Sequence, residues 1–147
     1  MENLDVAKTT MDLLEAQQFD QARSMMTDDF TFSGPVPEPI DAQGFIGLMQ
    51  ALGAAMPDWT YQARDFRAEG PDRVACTVTV GGTHTGTLSL PPLGVSDLAP
   101  TGIAARNPDE TVHLTVRGDQ IANVHTEVPP DGGVAGILRQ LGVDVPA

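Results

Sequence analysis

The stretch Arg73-Val-Ala-Cys-Thr-Val-Thr-Val-Gly-Gly-Thr-His-Thr-Gly86 decides how this chain is read. Val74, Cys76, Val78 and Val80 alternate with Arg73, Ala75, Thr77 and Thr79, the period-two pattern of a strand with one face in a core. Carried through Gly81-Gly82, the same parity sets His84 on the apolar face, where an unpartnered imidazole costs about 1–3 kcal/mol. His84 is therefore a candidate site residue. The plainer alternatives are a satisfied core histidine, or one turned to solvent by a bulge at the two glycines.

On the N-terminal side of this strand the periodicity is helical. Leu4, Ala7, Met11 and Leu14 form one stripe, and a second short helix carries Ala22, Met25 and Met26 before Thr27-Asp28-Asp29 stops it. Phe30-Thr-Phe32 reads as a short strand. Gly34-Pro-Val-Pro-Glu-Pro39 excludes regular structure, because prolines remove donors and restrict their neighbours. Asp41 N-caps a third helix with Phe45, Leu48, Met49, Leu52 and Met56 as its buried stripe, and Pro57-Asp58 ends it. Strands are predicted over 59–69, 73–88, 111–117 and 120–128, with an irregular insert over 91–109. A last helix over 134–141 is capped by Asp131 and ends at Gly142, with Gly132 and Gly133 turning the chain into it. Helices first and a meandering antiparallel sheet afterwards give an α+β fold in one domain over 1–147.

Composition narrows the function classes. The 147 residues carry 8 basic and 20 acidic side chains, a net charge of −12, which repels phosphate backbones and anionic membrane surfaces. Nucleic acid and membrane are excluded as expected partners. Cys76 is the single cysteine and sits on the apolar parity of its strand, so no internal disulfide forms. No apolar run approaches about 18 residues, and the acidic N-terminus does not resemble a signal peptide, so a soluble cytoplasmic protein is expected.

The last hairpin places further candidates. A two-residue turn at Gly118-Asp119 pairs Val116 with Ile121, Leu114 with Asn123, Val112 with His125, and Glu110 with Glu127. In that register Asn123, His125 and Glu127 share the apolar face with Leu114, while His113 lies on the opposite face with Thr111 and Thr115. A one-residue slip exchanges the roles of His113 and His125. A carboxylate beside an imidazole in a partly buried cavity can move protons at neutral pH. Asp58 and Trp59 open the first long strand, and the lone Trp59 is large enough to wall a pocket. No closely spaced ligand set is present, so no metal is expected, and neither a nucleophile elbow nor a glycine-rich phosphate loop occurs.

Met56-Pro-Asp-Trp-Thr60, Glu69-Gly-Pro-Asp-Arg-Val74, Gly82-Thr-His-Thr-Gly86 and Ile137-Leu-Arg-Gln-Leu-Gly142, in this order, resemble the SnoaL-like polyketide cyclase (ester cyclase) group of the nuclear transport factor 2-like superfamily. The resemblance runs from Met56 to Gly142. It implies a cone-shaped α+β barrel, with N-terminal helices packed in a curved antiparallel sheet around a central apolar cavity, and a homodimer. It also implies a cofactor-free intramolecular aldol condensation driven by an acidic side chain near the end of the last strand. The chain departs from the family pattern at His125 and Pro129, where tryptophan and aspartate are common, and at Val112, where a cavity histidine would face inward. Glu127 is assigned the acid/base role by parity, with Asp131 as the other available carboxylate.

These readings converge on a cyclase-type enzyme acting on an apolar cyclic carbonyl compound. Glu127 abstracts a proton, His84 and His125 serve the developing enolate oxygen, and Trp59, Asn123, Asp58 and Leu114 bind substrate. The rival is a non-catalytic module that holds an apolar small molecule in the same cavity. A third reading is a dimeric interaction domain working through its outer sheet face.

Overall fold

A computed structural model describes residues 2–143. Two helices open the chain: α1 (Asn3–Glu15), with Val6, Ala7, Met11 and Leu14 buried, and the short α2 (Phe19–Ser24). Met26 begins strand β1 (Met26–Ser33) rather than continuing the helix, and Thr27-Asp28-Asp29 lies within that strand. After β2 (Ile40–Asp41) comes α3 (Ala42–Ala55), whose start was legible locally: the Asp41 carboxylate accepts the Gly44 N–H at 2.8 Å. Phe45, Leu48, Met49 and Leu52 form its buried stripe.

The predicted long strands are shorter and more broken. Residues 59–63 make only an isolated bridge, Thr60 to Gly81, before β3 (Arg64–Ala68). The run 73–88 divides into β4 (Arg73–Val78) and β5 (Gly81–Thr83), with Leu88 opening β6 (Leu88–Leu90). Gly82 and Gly86 explain the break. A Cβ at Gly82 would lie 2.8 Å from Met56 Cβ, and one at Gly86 would lie 2.6 Å from the Ala54 carbonyl, so the chain leaves the sheet to run tightly against the end of α3. The insert is not irregular throughout: it holds a 3-10 turn (Pro91–Leu93), β7 (Val95–Leu98) and β8 (Ala104–Arg106). Strands β9 (Glu110–Arg117) and β10 (Gln120–Glu127) form the last hairpin, followed by α4 (Gly133–Gln140). Its C-terminus closes with Gly142 at φ 88°, its N–H on the Arg139 carbonyl and the Val143 N–H on that of Leu138. Asp131 does not cap α4; the N-cap is Gly132, without a side-chain bond.

The main sheet runs β2-β1-β10-β9-β4-β3, with two small pairs, β5-β8 and β6-β7, beside it. Its neighbours are antiparallel except β1 and β10, which run parallel. The fold is mixed α+β with a curved sheet, and among the described residues the sheet does not close into a barrel. Helices α1 and α3 pack on its concave side through Met11, Leu14, Phe45, Met49 and Leu52 against Val112, Leu114, Ile121 and Val124.

Candidate active site

The β9–β10 register decides which polar side chains face inward. Gly118, at φ 64°, makes the predicted two-residue turn, and Val116 pairs with Ile121 as expected. Beyond them the register shifts by one residue: Asn123 pairs with Thr115, Val124 with Leu114, His125 with His113, and Glu127 with Thr111. Ala122 is the extra residue of this bulge, and it reverses the facing of everything after it relative to a regular hairpin. Val124 and Thr126 turn inward. Asn123, His125 and Glu127 turn outward, so the predicted inner polar face of β10 is corrected to an outer one.

On that outer face these side chains tie elements together. The Asn123 amide donates to the Thr31 carbonyl at 3.1 Å and to its hydroxyl at 2.9 Å, and His125 Nδ1 bonds the Ser33 hydroxyl at 2.8 Å. His113 stands between two carboxylates, with Nδ1 2.5 Å from Glu69 and Nε2 2.9 Å from Glu127. Burial pulls the His113 pKa down, but the bonds to Glu127 and Glu69 outweigh it and raise it. Because each ring nitrogen is spent on a different carboxylate, the three groups do not converge on one point where a cation could sit. Among the described residues no group of three potential ligands is placed to hold a metal.

Between helices and sheet lies an apolar cavity of about 80 Å³. Met11, Leu14, Phe45, Leu52, Val112, Leu114 and Val124 supply much of its wall, and Trp59, Tyr61, Pro35, Gly133 and Ile137 also line it. Among the described residues, its one carboxyl group belongs to Glu110. Glu110 is 5% exposed, and its Oε2 accepts the Gly133 N–H at 2.7 Å, at the first turn of α4. Burial raises its pKa and the Gly133 bond opposes this, with burial the stronger. Gly132 makes the cradle possible, since a Cβ there would lie 2.5 Å from Oε2. Glu110 was not singled out from the sequence, although its alternation with Val112, Leu114 and Val116 already put it on the inward face of β9.

The remaining candidates divide. Trp59 and Leu114 line the cavity. Asp58 does not: its carboxylate takes the Thr83 N–H at 2.7 Å and hydroxyl at 2.8 Å, bonds that hold its pKa down and pin the turn after α3 to β5. His84 is fully buried but is not among the residues lining that cavity. Its Nδ1 lies 3.2 Å from the Thr101 backbone nitrogen and 3.0 Å from the Thr101 hydroxyl. A backbone N–H can only donate, so Nδ1 is the acceptor and the ring proton sits on Nε2, which has no partner among the described residues. Cys76 is buried, which pushes its thiol pKa up to about 11 and makes it a poor nucleophile.

Over residues 7–124 the chain matches the family model of the SnoaL-like domain. The chain belongs to the SnoaL-like family. No curated protein matches it in sequence. Among solved structures it is similar to AclR from Streptomyces galilaeus, a suggested hydroxylase, with TM-score 0.71 and 18% identity over 98% of this chain and 88% of that one. It is similar also to IdmH from Streptomyces antibioticus, a suggested polyketide cyclase, with TM-score 0.69 and 23% identity over 97% and 100% of the two chains. A SnoaL-like polyketide cyclase from Agrobacterium tumefaciens gives TM-score 0.67 and 22% identity over 97% and 100%. At these identities the likeness shows the shared fold. No helix among the described residues is long and apolar enough to cross a membrane.

Proposed function

We propose that this SnoaL-like protein is a cyclase-type acid–base enzyme that acts on an apolar carbonyl compound in the cavity, with Glu110 as the proton-transfer group. The observation that carries this reading is a nearly buried carboxyl, its pKa raised, on the wall of an otherwise apolar cavity. A carboxylate in such a place is a stronger base than one in water and works closer to neutral pH. The Gly133 N–H holds Oε2 and leaves Oε1 to the substrate. In the forward step Oε1 takes a proton from the carbon beside a carbonyl, giving an enolate. The enolate carbon then bonds to a second carbonyl carbon of the same molecule, and the alkoxide formed there takes the proton back from Glu110. The sum is a ring closure in which no cofactor is consumed.

The SnoaL-like family supports this reaction class, and two of the structural relatives are described as cyclases. Glu110 takes the place that the sequence reading gave to Glu127, whose side chain faces away from the cavity. A non-catalytic carrier of apolar molecules is the second reading, favoured by the absence of any imidazole among the lining residues to partner Glu110. Exchange of α-hydrogens separates the two. In D2O at pH 7.5 the wild-type protein is expected to accelerate deuterium incorporation beside the carbonyl of 2-indanone, followed by proton NMR, and Glu110→Gln is expected to abolish the acceleration. Exchange by Glu110→Gln at the wild-type rate removes Glu110 from the chemistry, and no acceleration by the wild type favours the carrier.

A further inference from the structure

Two side chains outside the cavity lining hold the backbone on which Glu110 rests. Gly133, whose N–H donates to Glu110 Oε2 at 2.7 Å, is held at its other polar group as well: its carbonyl accepts from the Asn107 amide at 2.8 Å. Asn107 is 3% exposed and is not among the cavity-lining residues. Its Oδ1 accepts from the Gln140 amide at 3.1 Å, and the Gln140 carbonyl accepts the Arg106 N–H at 2.8 Å. Gly133 is the first residue of α4 and Gln140 its last. A run of four hydrogen bonds therefore passes from Arg106 through both ends of α4 to the carboxyl.

The direction of this run is fixed by backbone groups. The Arg106 N–H can only donate and the Gly133 carbonyl can only accept, so each side-chain amide has one orientation that serves both of its neighbours. Turning the Asn107 amide over would set oxygen against oxygen at Gly133 and nitrogen against nitrogen at Gln140. Gly133 has φ 70° and no side chain of its own, so these bonds to its N–H and carbonyl fix its place. From this we infer that Asn107, oriented by Gln140, is a positioning residue for proton transfer at Glu110: it holds Gly133 so that Oε2 stays bonded and Oε1 stays available to substrate. The inference rests on the reading of Glu110 as the proton-transfer group and adds two residues that act on it through Gly133. Burial and the Gly133 bond are the influences on the Glu110 pKa, and Tyr61 is the one other titratable group on the cavity wall among the described residues. Asp109, next to Glu110 in sequence, is engaged by Thr79 and Arg64. Loosening Gly133 leaves burial less opposed, so Glu110 keeps its proton to higher pH.

The test is a carbon-13 NMR titration of the Glu110 carboxyl in the full chain, its resonance assigned as the one missing from Glu110→Gln. In Asn107→Ala the midpoint should lie above that of the wild type. In Gln140→Ala, a change at an exposed helix end, it should rise as well and by less. The acid limb of α-hydrogen exchange on 2-indanone should move to higher pH with the titration, and the rate at pH 7.5 should fall about three- to tenfold in Asn107→Ala, the range one net hydrogen bond supplies. A residue that merely stabilised α4 would act in the opposite sense, because a loosened helix admits water to the carboxyl and lowers the midpoint. A midpoint that is unchanged or lowered in either variant, with a folded circular dichroism spectrum, overturns the inference; if Asn107→Ala does not fold, Gln140→Ala decides alone. The titration needs no substrate, so a raised midpoint in a protein that leaves 2-indanone unexchanged supports the positioning and removes the proton-transfer reading.

Discussion

Glu110 is the residue on which the structure makes its most exposed claim, and folding stability tests it without knowledge of the substrate. The residue is 5% exposed, with one carboxyl oxygen bonded to the Gly133 N–H at 2.7 Å. Its pKa is raised above the ordinary 4.5. A group whose pKa is higher in the folded state contributes stability that is fully present below its unfolded pKa and is lost as pH rises through the folded value. The wild type therefore loses stability relative to Glu110→Gln as pH climbs from 4.5, with a slope of at most about 1.4 kcal/mol per pH unit until the folded pKa is passed. Glutamine keeps an oxygen for Gly133, so the slope is the diagnostic quantity rather than the absolute difference. Glu110→Ala removes that acceptor, leaving a buried N–H at a cost of about 1–3 kcal/mol, and it loses side-chain packing as well. The assay is urea unfolding followed by circular dichroism for the three proteins at pH 4, 4.5, 5, 6, 7 and 8; taking differences between them cancels the titration of every other group. A difference between wild type and Glu110→Gln that is constant over this range would refute the claim that a carboxyl with a raised pKa sits in the cavity wall.

On the outer sheet face, NMR titration should give His113 a pKa above 6.5 that falls in Glu69→Gln, since the Glu69 and Glu127 bonds overcome its burial. The stabilisation His113 draws from these carboxylates is present below 6.5 and fades as pH rises through its folded value; an unchanged His113 titration in Glu69→Gln contradicts the assignment. Gly82→Ala should cost about 1–3 kcal/mol in urea unfolding, because the new Cβ lies 2.8 Å from Met56 Cβ and 3.3 Å from Trp59 Cα. A change under about 0.5 kcal/mol would mean that the β5 crossing over the end of α3 is looser than described.

Three local signals in the chain were read correctly, although the Asp131 cap, equally local, gives way to Gly132. Asp41 caps α3, Gly118 makes the hairpin turn and Gly142 closes α4, because each depends on a few adjacent dihedral angles and one or two hydrogen bonds. The strand breaks near Gly82 and Gly86 were missed because their cause is α3, nearly thirty residues away in sequence. The candidate site failed at one residue. Ala122 bulges out of β10, and from there the inner and outer faces exchange, so Asn123, His125 and Glu127 leave the interior and Val124 and Thr126 enter it. Nothing in the letters around Ala122 marks it, since alanine suits a regular strand and a bulge alike. Glu110 was open to discovery by its alternation with Val112 and Leu114, but a glutamate at a strand end reads as a solvent-facing residue until a helix is known to cover it.

The sequence by itself determined the α+β class, the order of the helices, the hairpin and its turn, and through its motifs the SnoaL-like family, because periodicity and turn chemistry are properties of neighbouring residues. Tertiary structure alone decided which carboxylate faces the cavity. Two neighbours with no mark in the local sequence settle it: the partner strand against which Ala122 bulges, and α4, whose first N–H meets Glu110.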